Sequence, residues 1–255
     1  MADPTPAARR RLSIEVWIVL GLSLGASAVY SVVSLIRKAT LPGGLREQTA
    51  TLNSSQDDRQ VFDFVYQLLG IGFALVVVAL ALYLLAQDRD EKPVTERLGL
   101  DRARPRFDVL SGTLLFLVIG IPGLTFYAVG RWLGITAEII PAPDLTYWWT
   151  GAMLILAAVK NAVLEEVIVV GYVMTRLRQI GWSTTTTIVA AAALRGSYHL
   201  YQGVGPGIGN FVMGLVFGYW FHRTRRVMPL VIAHTLLDVV AFVGYLALAD
   251  TLGLK

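Results

Sequence analysis

The sequence predicts an all-α fold, a polytopic bundle of about seven transmembrane helices. Of its 255 residues, 55% are hydrophobic and only 16% are charged, whereas a soluble domain carries about a quarter charged residues. Several apolar stretches reach the ~20 residues that a helix needs to cross a bilayer. The mean hydropathy of +0.59 agrees with this. The first partner that we expect is therefore the lipid bilayer.

Seven apolar segments alternate with polar or basic loops. Their lengths and apolar runs are typical of membrane-spanning helices. The predicted spans are 14–36, 62–86, 109–130, 147–170, 184–201, 208–221 and 228–249, and the fourth continues as a helix to about residue 178. The polar loop 37–61 is expected to be a flexible external connection.

The basic residues indicate which loops face the cytoplasm, where lysine and arginine are enriched. With a cytoplasmic N-terminus, fourteen of the 22 basic residues fall on the cytoplasmic side, six fall outside, and Lys160 and Arg195 lie within spans. We therefore expect a multi-pass protein of the cell (inner or plasma) membrane. It would comprise a cytoplasmic tail (1–13), N-terminal transmembrane helices and loops (14–144) and a C-terminal helical core (145–250).

Composition also excludes some classes of protein and chemistry. The formal charge of +4 is not arranged as a basic stripe with aromatic residues, so we expect no nucleic-acid partner. The absence of cysteine excludes disulfides, thiolate metal ligands and cysteine nucleophiles. The first span begins like a cleavable signal peptide, but its apolar sequence continues unbroken to residue 36, and we expect it to be retained.

Ionisable residues inside the predicted spans cluster in the C-terminal half of the chain. Each costs at least ~2.5–3.5 kcal/mol at the bilayer centre, so such residues are candidates for a functional site. Glu165 and Glu166 lie on span four, Arg195 and His199 on span five, and His234 and Asp238 on span seven.

The spacing of these residues matters as much as their type. Arg195 and His199 are four residues apart and share one helix face, which Gln202 would extend, and His234 and Asp238 share a face in the same way. Adjacent glutamates diverge by about 100°, so one can face a reacting centre while the other holds a neighbouring helix. Carboxylates and imidazoles together can activate a water molecule, with or without a divalent metal.

Each feature also has a purely structural interpretation. A glutamate pair in a span can join helices or stay protonated, and a single membrane histidine can be a hydrogen-bonded packing residue. Lys160 can extend its amine towards the membrane surface or pair elsewhere. Three polar pairs on three helices together favour a functional site. In span six, Gly214 and Gly218 form a G-x-x-x-G face that predicts close packing on a neighbouring helix.

The segments EEVIVVGY, RGSYHLYQG and PLVIAHTLLD follow one another on successive polar spans. Together they resemble the motifs of the CPBP family of intramembrane peptidases, which are related to CaaX-processing prenyl endopeptidases and bacteriocin-immunity proteins. The resemblance covers about residues 145–245 and implies a catalytic core with a polar cavity between spans four, five and seven. It implies that Glu165 activates water for attack on a peptide bond. It also implies that His199 and His234 position this water and stabilise the oxyanion, and that Asp238 is the final Asn/Asp of the motif.

The chain departs from the family motifs at two positions. Val170 stands where the pattern E-E-x-x-x-R has its arginine, and Arg195 replaces the phenylalanine of the second motif. A buried glutamate needs a cationic partner or a proton, so we expect Arg195 to pair with Glu166 across the helices. The resemblance leaves the cofactor open. Zinc or another divalent metal, if used, would be held by Glu165, His199 and His234.

Three functions are compatible with these motifs. The first is an intramembrane endopeptidase that acts on a protein or peptide presented at the membrane. The second is a non-catalytic relative that binds a membrane partner or confers peptide (bacteriocin) immunity. The missing arginine favours this second function, whereas retention of Glu165 and both histidines favours the first. The third is a proton-coupled transporter, which would need inverted repeats and broken helices, and neither is apparent in the sequence.

Overall fold

The structure is a computed structural model that describes residues 5–88, 90–141 and 147–244. Three of the features expected from the sequence fall outside these ranges. They are the end of the seventh span (245–249), the boundary at 144/145 between the N-terminal helices and the C-terminal core, and the first residues of the cytoplasmic tail (1–4).

The described part of the chain is mostly helical, as predicted. In chain order the α-helices are α1 (Pro6–Gly21), α2 (Leu24–Thr40), α3 (Gln60–Ala86), α4 (Val94–Arg97), α5 (Pro105–Trp132), α6 (Thr150–Glu165), α7 (Met174–Ile180), α8 (Thr184–Tyr198), α9 (Val204–Thr224) and α10 (Met228–Val239). Two π-helical segments, Glu166–Val173 and Val240–Gly244, directly follow α6 and α10. Short 3₁₀ turns occupy Gly44–Glu47 and Leu200–Gln202.

Three of these helices, α3, α5 and α9, are long and apolar enough to cross a membrane. The bent pair of α1 and α2 makes a fourth if it is one span. The helices α6, α8 and α10 pack among them: α6 contacts α3 and α10, α8 contacts α2 and α9, and α10 contacts α5. The chain is therefore a helical membrane protein.

The first predicted span is not one straight helix. It breaks at Leu22 and Ser23, and α1 and α2 meet at 55°. The backbone of Ser23 leaves the helical conformation, and its hydroxyl donates a hydrogen bond to the carbonyl of Val19 (2.6 Å). A Cβ on Gly25 would lie 2.7 Å from the carbonyl oxygen of Leu20, so only glycine fits the tight bend. The uninterrupted apolar pattern concealed this break.

The fold is mostly helical, but the 37–61 loop also contains a short strand and is joined to other segments. Two short parallel strands, β1 (Thr49–Thr51) and β2 (Glu138–Ile140), pair in the register Thr49↔Glu138. Lys38, at the end of α2, is buried, and its amine donates to the carbonyls of Thr49 (2.8 Å) and Tyr201 (2.7 Å). The loop is thus tied to the segment that follows α8.

The helix in span five ends three residues before the predicted end at 201. After Tyr198 the chain forms the 3₁₀ turn and reaches Gly203, whose φ of 116° is readily available only to glycine. The carbonyl of Gln202 accepts a hydrogen bond from the backbone of Ala137 (2.9 Å). Gln202 therefore belongs to the connection with β2, and the prediction that it extends the helix face of Arg195 and His199 is wrong.

Glycines in α9 allow close contact with α8, as the G-x-x-x-G pattern predicts. A Cβ on Gly214 would lie 2.7 Å from Ala192 Cα, and a Cβ on Gly218 would lie 3.1 Å from a methyl group of Ile188. This contact fixes the position of α8, which carries Arg195 and Tyr198.

Candidate active site

The two glutamates lie where the fourth span changes its helical form. Glu165 is the last residue of α6, and Glu166 is the first residue of the π-helical segment. π-Helical turns inside α-helices are found frequently at functional sites. The segment from Glu166 to Val173 is buried along its whole length, so the change of form occurs in the core of the protein.

Glu166 is sealed inside the protein, with no exposed side-chain surface. Its Oε1 atom accepts hydrogen bonds from the guanidinium of Arg195 and from Nδ1 of His234 (2.7 Å). Its Oε2 atom is buried and has no partner among the described residues. Glu166 therefore joins α8 and α10 to the fourth span.

The ion pair between Arg195 and Glu166, predicted from the sequence, is present in the structure. Arg195 is fully buried, and a second guanidinium nitrogen lies 3.4 Å from Oε2 of Glu165. The guanidinium also lies 5.5 Å from the ring centroid of Phe217 on α9, within the range of a cation–π interaction. The guanidinium of Arg195 on α8 thus forms ion pairs with both carboxylates of the fourth span.

Glu165 has a different environment from its neighbour. Its side chain is 12% exposed, and its Oε2 atom accepts a hydrogen bond from the hydroxyl of Tyr198 (2.8 Å). Its Oε1 atom accepts no hydrogen bond from the described residues and is not among their buried unpartnered atoms. Hydrogen bonding thus holds Oε2 in place, whereas Oε1 is free to accept a hydrogen bond from a small molecule such as water.

Both predicted histidines lie beside the glutamates, with Nδ1 engaged in each. His199 follows the last residue of α8, and its Nδ1 lies 3.0 Å from the carbonyl oxygen of Arg195. Because a carbonyl only accepts, this nitrogen carries the proton. Nδ1 of His234 donates to Glu166 in the same way. Nε2 is therefore the nitrogen left for other partners in both rings.

Asp238 lies on the same face of α10 as His234, as predicted. Its Oδ1 atom is 3.7 Å from Nε2 of His234, which is longer than a hydrogen bond, and its Oδ2 atom accepts from the amide of Asn161 (3.3 Å). Asn161 in turn accepts from Lys160. Lys160, which had no obvious partner in the sequence, is thus the far end of a polar chain leading to Asp238.

Sequence reasoning missed Tyr198 and Asn161 as members of the site. Tyr198 directly precedes His199, and its ring packs on the imidazole with centroids 4.7 Å apart. Asn161 lies one helical turn before Glu165. Both lie close to the ionisable residues of the motifs. Neither side chain is charged at neutral pH, so the pattern of charged and histidine residues in the spans does not include them.

The metal-ligand set left open by the sequence does not fit this geometry. Within 5–88, 90–141 and 147–244, no three histidine, aspartate or glutamate side chains are grouped to hold a metal ion. The guanidinium of Arg195 lies against both glutamates, and its fixed positive charge repels a divalent cation there.

Comparison with known proteins adds one match. A family model described as "Rce1-like: Type II CAAX prenyl endopeptidase Rce1-like" matches residues 147–240. The family resemblance is confirmed. The Rce1-like segment contains all six ionisable residues singled out by the sequence motifs, and the family is one of proteases. No curated protein and no solved structure matches the chain.

Proposed function

We propose that the protein is an intramembrane endopeptidase in which Glu165 is the base that activates water. The difference between the two glutamates carries this proposal. Glu166 is sealed and holds Arg195 and His234, whereas Glu165 has one fixed oxygen and one open oxygen. A general base must reach its water directly, and of this pair only Glu165 can.

The reaction consists of two proton transfers at Glu165. A water held by its Oε1 atom and by Nε2 of His199 loses a proton to the carboxylate as its oxygen attacks the carbonyl carbon of the substrate. The carbonyl oxygen becomes an oxyanion, which the imidazolium form of His234 stabilises by donating from Nε2, while Nε2 of His199 accepts from the water and so holds it in place. The tetrahedral intermediate then collapses, the C–N bond breaks, and Glu165 returns the proton to the leaving amine. The products are a carboxylate and an amine.

The remaining residues act as positioning groups. Arg195 holds Glu166 and limits the movement of Glu165, and Tyr198 orients the Glu165 carboxylate. Asp238 lies beside Nε2 of His234 and can orient that ring when a substrate enters. Preorganised groups of this kind contribute to catalysis because they need no rearrangement as charge develops.

We also propose a topology for the whole chain. It has seven spans, a cytoplasmic N-terminus (1–13), N-terminal helices (14–144) and a catalytic core (145–250), and it lies in the cell membrane. The polar cavity between spans four, five and seven opens towards the cytoplasm.

The substrate is a protein or peptide presented at the membrane. The family name refers to prenylated CAAX proteins, and the residues described here do not favour a prenyl group over another membrane anchor. The test is a comparison of protein termini in membranes that contain the wild type or Glu165→Ala. Processed termini that appear only with the wild type support a peptidase. Identical termini with equal protein levels would instead favour a non-catalytic protein that binds a membrane partner or confers peptide immunity.

A further inference from the structure

A second polar site lies away from the glutamates, at the end of the bundle where α7, α8 and α9 meet. We propose that it binds the phosphate group of an anionic phospholipid. The site is a shallow depression that is open to solvent. Its polar lining consists of Arg178, Thr184, Thr187, His222 and Arg225.

Two arginines give the depression a positive charge. Neither Arg178 nor Arg225 forms an ion pair with any residue in the described part of the chain, although Arg178 donates one hydrogen bond to the carbonyl of Trp182. Arg225 has a φ of 55°, and all other described residues with a positive φ are glycines. Arg225 is the left-handed C-cap of α9, and its backbone amide donates to the carbonyl of Phe221 (2.8 Å), which fixes the residue at the edge of the depression.

The N-terminus of α8 adds hydrogen-bond donors. Ser183 caps the helix by accepting from the amide of Thr186 (3.1 Å). The amides of Thr184 and Thr185 precede the first intrahelical acceptor and have no acceptor among the described residues. Free amides at a helix N-terminus, together with the helix dipole, form a common binding site for phosphate.

The hydroxyl of Thr187 is an independent sign of a missing ligand. Thr187 is fully buried, lines the depression, and its Oγ1 atom has no hydrogen-bond partner among the described residues. A threonine in a helix commonly donates to the carbonyl three or four residues earlier, and a buried hydroxyl without a partner is destabilising. A phosphate oxygen in the depression would accept this hydrogen bond.

The surroundings favour a lipid as the source of the phosphate. Met174 and Phe221 are buried side chains that form the apolar floor of the depression. Arg9 of α1 lies near Gly181 in the adjacent loop, so this is the basic face that we assign to the cytoplasm. The inner leaflet is negatively charged, and basic pockets between helices on this side bind lipid headgroups.

The experiment uses the purified full chain in a neutral detergent. Binding of dihexanoyl phosphatidylglycerol, dihexanoyl phosphatidylcholine and inorganic phosphate is measured by titration calorimetry. We expect phosphatidylglycerol to bind and phosphatidylcholine, which has no net charge, to bind at least tenfold more weakly. Arg178→Gln and Arg225→Gln should each weaken phosphatidylglycerol binding about tenfold, because each removes a charge-assisted hydrogen bond. Arg223→Gln is the control, since it removes a charge from the same end of α9 without changing the lining.

Thr187→Val separates binding from folding. The methyl group replaces a buried hydroxyl that has no partner, so the ligand-free protein should unfold at an equal or higher temperature while phosphatidylglycerol binding weakens. Inorganic phosphate that binds as tightly, with the same sensitivity to these variants, would show that the phosphate site is correct and its source is a free ion. Equal binding of phosphatidylcholine, equal losses in Arg223→Gln, or no binding at all would overturn the proposal.

Discussion

At the scale of single residues, two adjacent glutamates have opposite surroundings. Glu166→Gln removes the buried charge that pairs with Arg195 and accepts from His234. Breaking a buried pair in this way destabilises a protein by ~3–5 kcal/mol, so the unfolding temperature in detergent should fall clearly. Glu165→Gln keeps an oxygen for Tyr198 and should leave the unfolding temperature nearly unchanged while abolishing peptidase activity. Equal destabilisation by the two variants would contradict the division of roles.

The cation on α8 gives a second prediction at this scale. Arg195→Phe restores the residue of the family pattern but leaves Glu166 without its cation, and it should reduce both stability, by ~3–5 kcal/mol, and activity. Adding Val170→Arg supplies a cation from the position that the family uses. Thermal unfolding and activity of the double variant should recover a large part of the loss. If the double variant is less stable and less active than Arg195→Phe alone, an arginine at position 170 cannot replace Arg195 as the partner of Glu166.

At the scale of elements, the contact between α8 and α9 positions Arg195. Gly214→Ala places a methyl group 2.7 Å from Ala192 Cα, which is backbone and cannot rotate away. The helices must separate, at a cost of ~1–3 kcal/mol, and activity should fall with stability. Gly70→Ala in α3 is the matched control, because its added methyl meets nothing within 4 Å. It should be neutral or stabilise by up to ~1 kcal/mol, and a loss equal to that of Gly214→Ala would contradict the close-packing argument.

The elements also show how far the sequence could predict this protein. The apolar helices and the glycine seam follow from composition and spacing, and the Arg195–Glu166 pair follows from charge alone, since a buried carboxylate needs a cation. The break at Ser23, the end of α8 at Tyr198 and the π-helical turn at Glu166 depend on contacts between distant segments. An apolar pattern of constant period carries no information about them.

At the scale of the whole molecule, Arg176 joins two distant segments to its own helix, α7. It is almost fully buried, and it donates to Glu15 of α1 (2.7 Å), to Asp88 after α3 (2.6 Å) and to Gln179 of α7 (2.7 Å). Burial opposes the charged form of Asp88, but hydrogen bonds from Arg176, Gln179 and Arg97 outweigh it and hold the pKa of Asp88 below its usual value. This network attaches the N-terminal helices α1 and α3 to α7.

The lowered pKa of Asp88 predicts a pH dependence of stability. The charged form is favoured in the folded state, so its contribution is complete above the unfolded pKa of about 4 and disappears as the pH falls through the lower folded pKa. Asp88→Asn should therefore unfold at a lower temperature than the wild type at pH 7, and the difference should shrink below pH ~4. Asp58→Asn, at an exposed position, should match the wild type at every pH. A deficit of Asp88→Asn that is as large in acid as at pH 7 would contradict this assignment.

The central claim is that Glu165 directs a water molecule onto a peptide bond. The most direct measurement uses the reconstituted full chain, a peptide that covers a cleavage site identified from the membrane termini, and water enriched in ¹⁸O. Mass spectrometry should find one ¹⁸O atom in the new carboxylate of the product made by the wild type, and no product above background with Glu165→Gln at equal protein abundance. Cleavage by Glu165→Gln at the wild-type rate, or a wild-type product whose new carboxylate lacks ¹⁸O, would contradict the account.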